Sequence, residues 1–140
     1  MSEPVKFHFD VQGDNFSSAG EASVAVKKNL RQIGISPDII KRVSVAMYEG
    51  EINMVIHANG GNADVYVEPT KITIVLSDTG PGIADVSQAM QEGFSTAPEN
   101  VRNLGFGAGM GLPNMKRYTD EIKVESTVGV GTTVTMVVNL

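Results

Sequence analysis

The stretch NLGFGAGMGLPNMKRY (residues 103–118) carries glycine at every second position from 105 to 111 and then changes at once to a helical pattern. Each glycine costs backbone entropy when it becomes ordered and gives no side chain to a core. The spacing is not that of a P-loop, because no Gly-Lys-Ser/Thr follows. It is not the dinucleotide fingerprint G-x-G-x-x-G either, because position 110 is Met and position 112 is Leu. The glycines therefore indicate another requirement for bare backbone directly before a helix.

The composition indicates an ordinary globular protein with one domain over residues 1–140. A chain of this length buries a core without disulfides, and it contains no cysteine. No apolar run approaches the roughly 20 residues that span a membrane, and the N-terminal segment lacks the apolar stretch of a signal peptide. The net charge is -5 and the basic residues are dispersed, unlike a nucleic-acid-binding surface. We therefore expect a cytoplasmic protein that binds neither nucleic acid nor membranes.

Hydrophobic periodicity predicts the order strand, helix, helix, strand, strand, then a helix and two more strands after a long glycine-rich segment. The predicted strands are 5–11, 63–69, 71–78, 121–127 and 132–140. The predicted helices are 17–33, a helix capped by Ser36 that runs to about Ala58, a short stretch around 85–91, and 112–119. This order predicts an α+β fold, a two-layer α/β sandwich with helices on one face of a mixed, mainly antiparallel sheet.

The second predicted helix contains the sequence YEGEINMVIH (48–57), in which Glu49 and Asn53 lie one turn apart on the same face. A carboxylate next to a carboxamide can hold a hard cation together with water and phosphate oxygens. For this pair alone, a solvated polar face is the alternative interpretation. Glu51 is predicted to point about a quarter-turn away, into solvent. Gly50 inside a helix is unfavourable by about 1 kcal/mol relative to Ala and predicts a close neighbour at that point.

The stretch SDTGPGI (77–83) follows a strongly apolar strand and forms a tight turn. Asp78 lies where the chain leaves the sheet, and two interpretations of it stay open. It either caps the turn through an Asx hydrogen bond, or its carboxylate accepts a hydrogen bond from the exocyclic amine of a ligand. In the second case Gly80 and Gly82 would let a flat ring approach the backbone.

The fourth element is the hairpin GVGTTV (129–134), whose Thr132 and Thr133 hydroxyls could complete the same pocket. Each element is a weak signal by itself, but their order along the chain is specific. That order is Glu-x-x-x-Asn on a helix, Asp-x-Gly-x-Gly after a strand, a glycine-rich segment before a helix, and Gly-Thr-Thr on the last strand. In this order the chain resembles the GHKL ATPases (Bergerat-fold, histidine kinase-like) over essentially its whole length.

The resemblance implies a site for ATP and Mg²⁺ and a lid at about residues 93–110. Asn53 would bind Mg²⁺, Glu49 would accept the proton of the attacking hydroxyl, and Asp78 would accept a hydrogen bond from the adenine amine. Bare backbone would let amide groups converge on the phosphates at the start of the last helix. The further ATP contacts that the resemblance implies are Gly80, Gly82 and Thr133 near the adenine, and Arg102, Gly105, Gly107, Gly109, Met110, Gly111 and Leu112 near the phosphates. Lys116 and Arg117 are the alternatives to Arg102 at the γ-phosphate.

Within this superfamily, the chain resembles the small serine/threonine protein kinases of the anti-sigma factor and switch-kinase type (RsbT/RsbW-like), especially through EGFST and MKRYTDE. The length leaves no room for the helical hairpin that carries the phosphoacceptor of a sensor histidine kinase, and His8 and His57 are poor candidates for that role. The resemblance implies phosphorylation of a serine or threonine on a STAS-domain partner. Two features depart from the pattern: APENVRN (97–103) lengthens the lid, and Gly50 and Glu51 replace small or apolar residues.

Two other functions use the same ATP site and stay open at this point. One is an anti-sigma factor that sequesters a sigma subunit and uses the nucleotide to choose between partners. The other is a stand-alone ATPase or the separated catalytic subunit of a histidine kinase. The sequence also leaves open the partner's identity, the signal and the oligomeric state, with a homodimer among the options.

Overall fold

The computed structural model describes residues 5–12, 20–57, 60–80, 82 and 111–140. Within these ranges the predicted order of strands and helices is confirmed. The predicted short helix around 85–91 and the lid at 93–110 lie outside the described residues. The elements are β1 (Val5–Gln12), α1 (Glu21–Gln32), α2 (Pro37–His57), β2 (Gly60–Val67), β3 (Lys71–Asp78), α3 (Gly111–Tyr118), β4 (Glu121–Thr127) and β5 (Gly131–Asn139).

The five strands form one sheet in the order β1-β2-β3-β5-β4. Each neighbouring pair in this part of the chain is antiparallel, so the sheet is more regular than the mixed sheet that the sequence predicted. The last strand, β5, lies between β3 and β4. As a result, the end of β3 pairs with the start of β5, and Asp78 lies directly opposite Thr132. The topology therefore brings together two motifs that are far apart in sequence.

The core lies between the helices and one face of the sheet. Side chains alternate between faces along a strand, and alternate residues of β3 and β5 are buried against the helices. α1 packs on β1, α2 contacts β1, β2, β3 and β5, and α3 contacts β4. The fully buried core side chains include Val26, Leu30, Val43, Met47, Val55, Val65, Ile72, Ile74, Met115, Met136 and Val138. Among the described residues, no helix combines the length and the apolar character that a membrane span requires.

The two long helices begin differently. α2 follows the predicted pattern, with Pro37 at its first position and Asp38 in its first turn. The Ser36 carbonyl accepts a hydrogen bond from the Ile40 amide at 3.0 Å. α1 begins after Gly20, which offers no capping side chain. The free amide groups at the start of α1 therefore need an acceptor from elsewhere in the fold.

Candidate active site

One polar face of α2 carries Glu49 and Asn53, which are both partly buried. The Asn114 side chain of α3 donates a hydrogen bond from Nδ2 to Glu49 Oε1 at 3.2 Å. Burial raises the pKa of Glu49, and the hydrogen bond from Asn114 opposes part of that rise. A carboxyl group whose pKa moves towards neutrality is better matched to accepting a proton at physiological pH. Asn114 was not among the predicted site residues, because nothing in its local sequence pattern indicates a contact with α2.

The close neighbour predicted at Gly50 is confirmed. A Cβ atom added at Gly50 would overlap the Leu76 Cδ1 atom and would lie 3.4 Å from the Met115 sulfur. The missing side chain therefore lets the middle of α2 lie directly against β3 and α3. Because Leu76 lies two residues before Asp78, this contact places the turn of α2 that carries Glu49 near the end of β3.

The prediction that Glu51 is solvated is wrong. Glu51 is 3% exposed, and its carboxylate accepts three backbone hydrogen bonds from the start of α1. Gly20 and Ala22 donate to Oε2 at 2.8 and 3.2 Å, and Ser23 donates to Oε1 at 3.1 Å.

Two residues along an α-helix turn the side chain by about 200°, so Glu51 points away from Glu49 and not a quarter-turn from it. It reaches the N-terminus of α1, where amide groups lack acceptors and the dipole favours a negative charge. A sequence signal for the burial of Glu51 is its spacing of four residues from Met47 and from Val55, which puts all three on one face of α2.

Asp78 is the last residue of β3, and its Oδ1 atom accepts two backbone hydrogen bonds. Gly80 donates at 2.9 Å, which confirms the Asx turn, and Thr132 donates at 3.2 Å. Both bonds use Oδ1, and no residue in the described ranges donates to Oδ2. The turn and a ligand contact are therefore compatible, because the two backbone amides orient the carboxylate while its second oxygen stays able to accept.

Gly82 follows this turn with φ at +80°. A Cβ atom added there would overlap the Thr127 carbonyl oxygen at the end of β4. Glycine is therefore required both by the left-handed backbone and by the close approach to a neighbouring strand. The loop after Asp78 packs against the β4–β5 hairpin, as the pairing of the two motifs predicts.

The structure does not bring Thr133 to Asp78. Thr132 pairs with Asp78, is buried and has its hydroxyl oxygen 2.7 Å from Ser126 Oγ. Thr133 pairs with Ser77 and lies on the opposite face of the sheet. A shift of one residue along a strand reverses the face, so Thr132 is the threonine beside the Asp78 carboxylate. The adenine contact that the sequence assigned to Thr133 stays a prediction, and this register favours Thr132 for it.

The start of α3 supplies backbone amides without intrahelical acceptors. Gly111 is the first residue of α3, and Leu112 is 7% exposed and packs in the core. Lys116 and Arg117 lie in the last turn, away from this N-terminus. The other residues that the sequence assigned to the phosphates lie outside the described residues: Arg102, Gly105, Gly107, Gly109 and Met110.

A second contact holds α3 on α2. Arg42 donates from Nε to the Tyr118 carbonyl at 3.2 Å and pairs with Asp120 at 3.0 Å. The Asn139 amide donates to the same Asp120 oxygen at 2.7 Å. This amide, and then Arg42, lower the pKa of Asp120. The position of α3 relative to α2 is therefore set near its C-terminus as well as at Asn114.

His8 lies on the face of the sheet away from the helices. Its Nδ1 atom is 2.6 Å from Asp64 and its Nε2 atom 3.2 Å from Asp10, and the hydrogen bond with Asp64 raises the pKa of His8. The His57 side chain is outside the described part of the chain.

Across the described ranges, no group of three or more acidic or histidine side chains could hold a metal ion. A cation near Asn53 would therefore depend on water and ligand oxygens.

The sequence matches the family described as Histidine kinase-like ATPase domain over residues 15–138. The anti-sigma F factor of Pasteuria penetrans is 33% identical over 136 residues, which cover 89% of this chain and 87% of that protein. The anti-sigma F factor of Caldanaerobacter subterraneus subsp. tengcongensis is 34% identical over 137 residues, or 94% and 89% of the two chains.

Two solved structures show the same fold. The RsbU and RsbW domains of a Mycobacterium tuberculosis protein match with a TM-score of 0.59 and 15% identity, over 96% of this chain and 32% of theirs. The mycobacterial sensor histidine kinase MprB matches with a TM-score of 0.56 and 17% identity, over 96% and 97%. At these identities the likeness concerns the fold alone, and it agrees with the two-layer sandwich described above.

Proposed function

Because the chain belongs to the histidine kinase-like ATPase family, we propose that it is an ATP-dependent kinase that phosphorylates a serine or threonine of a STAS-domain partner in a bacterial regulatory switch. The single observation that carries the kinase role is Glu49. Its carboxylate is partly buried, its pKa is raised by burial, it is held by Asn114, and it lies one turn before Asn53. These are the properties of a general base beside a nucleotide site.

The adenine is held at Asp78 and Thr132 in this proposal. The Asp78 carboxylate is oriented by two backbone amides on Oδ1, and Oδ2 accepts a hydrogen bond from the exocyclic amine. Thr132 replaces Thr133 as the neighbouring hydroxyl, since it shares the helix-facing side of the sheet with Asp78. Because Gly82 has no side chain, its backbone packs closely against the end of β4, and a flat ring can approach the backbone there.

The phosphates lie between the start of α3 and the polar face of α2. The first amides of α3, at Gly111 and Leu112, present N–H groups and the positive end of the helix dipole to an anion. The residues present fit Mg²⁺, because the Asn53 carboxamide oxygen is a hard ligand that no described residue uses. When bound, Mg²⁺ would neutralise charge on the phosphates.

Glu49 acts on the partner's hydroxyl group. The hydroxyl proton moves to the Glu49 carboxylate while the hydroxyl oxygen forms a bond to the γ-phosphorus. The bond from that phosphorus to the bridging oxygen breaks, and ADP leaves. Asn53 and the α3 amides hold the phosphates in line for this transfer, so most of the catalysis is positioning and charge stabilisation.

A second candidate function is sequestration of a sigma subunit without chemistry. It is favoured by the relatives named anti-sigma F factor, which are about one-third identical along nearly the whole chain. The ATP site serves both functions, so partner binding and phosphotransfer must be measured separately.

The test is Glu49→Gln in single-turnover phosphorylation of a purified STAS-domain partner, with ATP affinity measured on the same samples. A general base contributes about 10²- to 10⁴-fold to the rate, so phosphotransfer should fall by that factor while ATP still binds. The matched control is Glu121→Gln, an exposed glutamate on β4, which should keep the wild-type rate. An acid-stable phosphoamino acid in the product separates a serine/threonine kinase from a histidine kinase.

Three outcomes decide between the functions. A loss confined to the rate in Glu49→Gln supports the kinase. Wild-type rates in Glu49→Gln would remove Glu49 as the base. A wild-type protein that binds a sigma subunit but phosphorylates no STAS-domain protein would favour the sequestering function.

A further inference from the structure

Asn114 lies between two charged side chains of different elements. It belongs to α3, three residues after its first residue Gly111, and it is partly buried. Its Nδ2 group donates to Glu49 Oε1 on α2 at 3.2 Å, and its Oδ1 atom accepts from Arg117 Nη1 at 3.4 Å. Arg117 is one turn further along α3, on the same side of that helix.

The charges on either side give the Asn114 amide one favourable orientation. The NH₂ group faces a carboxylate and the carbonyl oxygen faces a guanidinium. A flipped amide would place its oxygen against the Glu49 carboxylate and its NH₂ group against Arg117, so both contacts would become repulsive. Asn114 is therefore a donor of defined direction towards the carboxylate of Glu49.

We propose that Asn114 is a positioning residue for Glu49. It holds Oε1 and leaves Oε2 free to accept the hydroxyl proton. It thereby connects α3, the helix after the glycine-rich segment, with the catalytic base Glu49. This inference rests on the proposed kinase function. It assigns to Asn114 no contact with substrate, so its whole effect on the reaction passes through Glu49.

The geometry supports this coupling in two ways. A glutamate side chain has three rotatable bonds, and one hydrogen bond from a fixed donor selects among its conformers. The donor itself is fixed, because Arg42 holds the C-terminal end of α3 through the Tyr118 carbonyl and Asp120. At 3.2 Å the bond is near the long end of the usual range, so a movement of α3 away from α2 by about 1 Å would release Glu49.

The first test is Asn114→Asp, which keeps the size and the contact with Arg117 but replaces the donor by a carboxylate facing Glu49. A hydrogen bond to a charged group corresponds to a change of about 10- to 100-fold. We expect the single-turnover rate to fall by that factor while the dissociation constant for Mg·ATP changes by less than about 2-fold. Asn114→Ala should show the same split and serves if the aspartate variant folds poorly. The matched control is Asn29→Ala, a partly buried asparagine on α1, with an unchanged rate.

The second test is a double-mutant cycle with Glu49→Ala. If Asn114 acts only through Glu49, Asn114→Ala should alter the residual rate of the Glu49→Ala protein by less than about 2-fold. A readout independent of activity is the NMR signal of the Asn114 side-chain amide, which should shift in Glu49→Gln and not in Glu121→Gln.

The outcomes separate this role from the proposed function. The positioning role alone would be overturned if Asn114→Asp phosphorylates the partner at the wild-type rate. It would also be overturned if the rate losses of Asn114→Ala and Glu49→Ala multiply in the double mutant. A wild-type protein that phosphorylates no STAS-domain partner would overturn the proposed function and this role together. A rate loss that disappears in the Glu49→Ala background, with the amide shift present, supports the proposal.

Discussion

Replacing Glu51 by glutamine should destabilise the fold strongly, although the two side chains have nearly the same size. Glu51 is 3% exposed, and its carboxylate accepts hydrogen bonds from three amides at the start of α1. Oε2 accepts from Gly20 and Ala22, and Oε1 accepts from Ser23. All three amides precede the point where α1 can supply its own acceptors.

The magnitude follows from these contacts. Glutamine keeps one acceptor oxygen, and if that oxygen takes the Oε2 position, the NH₂ group faces the Ser23 amide, donor against donor. The loss of one hydrogen bond to a charged group costs about 1.5–3 kcal/mol, and the lost charge at the helix N-terminus costs about 0.3–1 kcal/mol more. We therefore expect the free energy of unfolding to fall by about 2–4 kcal/mol. For a protein of this size that lowers Tm by roughly 6–15 °C.

The assay is urea and thermal unfolding followed by far-ultraviolet circular dichroism at pH 7, with Glu49→Gln as the matched control. The control makes the same chemical change on the same helix, two residues earlier. Burial raises the pKa of Glu49 above its ordinary value of 4.5. A carboxyl with a raised folded-state pKa contributes stability below its unfolded pKa and loses it as the pH rises. Glu49→Gln should therefore leave Tm at pH 7 unchanged or slightly raised.

Glu51→Gln is thus expected to lose stability at pH 7 and Glu49→Gln is not, although both make the same chemical change on α2. If the free energy of unfolding of Glu51→Gln lies within about 0.5 kcal/mol of the wild-type value, as is typical of a surface substitution, Glu51 does not stabilise the start of α1. If both variants lose stability equally, the effect belongs to α2 in general and not to the contact with α1.

Three further predictions follow from the site. Thr132→Val should weaken ATP binding in calorimetry, because it removes the hydroxyl beside Asp78, whereas Thr133→Val on the other face of the sheet should spare it; equal losses would contradict the assignment. Asn53→Ala should weaken Mg·ATP binding much more than binding of ATP in EDTA, and identical losses would exclude Asn53 as the ligand. Asp120→Asn should lower stability at pH 7. Because the pKa of Asp120 is held below its ordinary value of 3.8, its contribution is present above that value and is lost as the pH falls through the lowered pKa. The difference between Asp120→Asn and the wild type should therefore vanish in acid, and a difference that persists there would refute the charge-based account.

Local sequence was sufficient for those features that depend on one element and its own neighbours. Alternation of apolar and polar residues over 5–11 predicted β1, because a half-buried strand has one buried and one exposed face. The Asx turn at Asp78 is a contact between residues two positions apart, so it could be anticipated from the turn sequence. Gly50 indicated a close neighbour because a glycine in mid-helix is unfavourable without one.

The sequence could not identify the contacts that cross between elements. Glu51 was expected in solvent because it was taken to point about a quarter-turn away from Glu49, and only the packing of α1 on α2 supplies its three donors. Asn114 was missed because it contacts Glu49 across 65 positions of the chain. Neither contact leaves a periodic signal, because the partner's position depends on how whole helices pack.

By itself, then, the sequence determined the kinds of element and their order in the described ranges, because these follow from local periodicity. It singled out Glu49, Asn53 and Asp78 through the resemblance of the motif order to the GHKL ATPases, and their roles stay predictions. Only the tertiary structure decided that Thr132 and not Thr133 lies beside Asp78. The physical reason is that adjacent threonines on a strand point to opposite faces, and the pairing of β3 with β5 selects which of the two faces the helices cover.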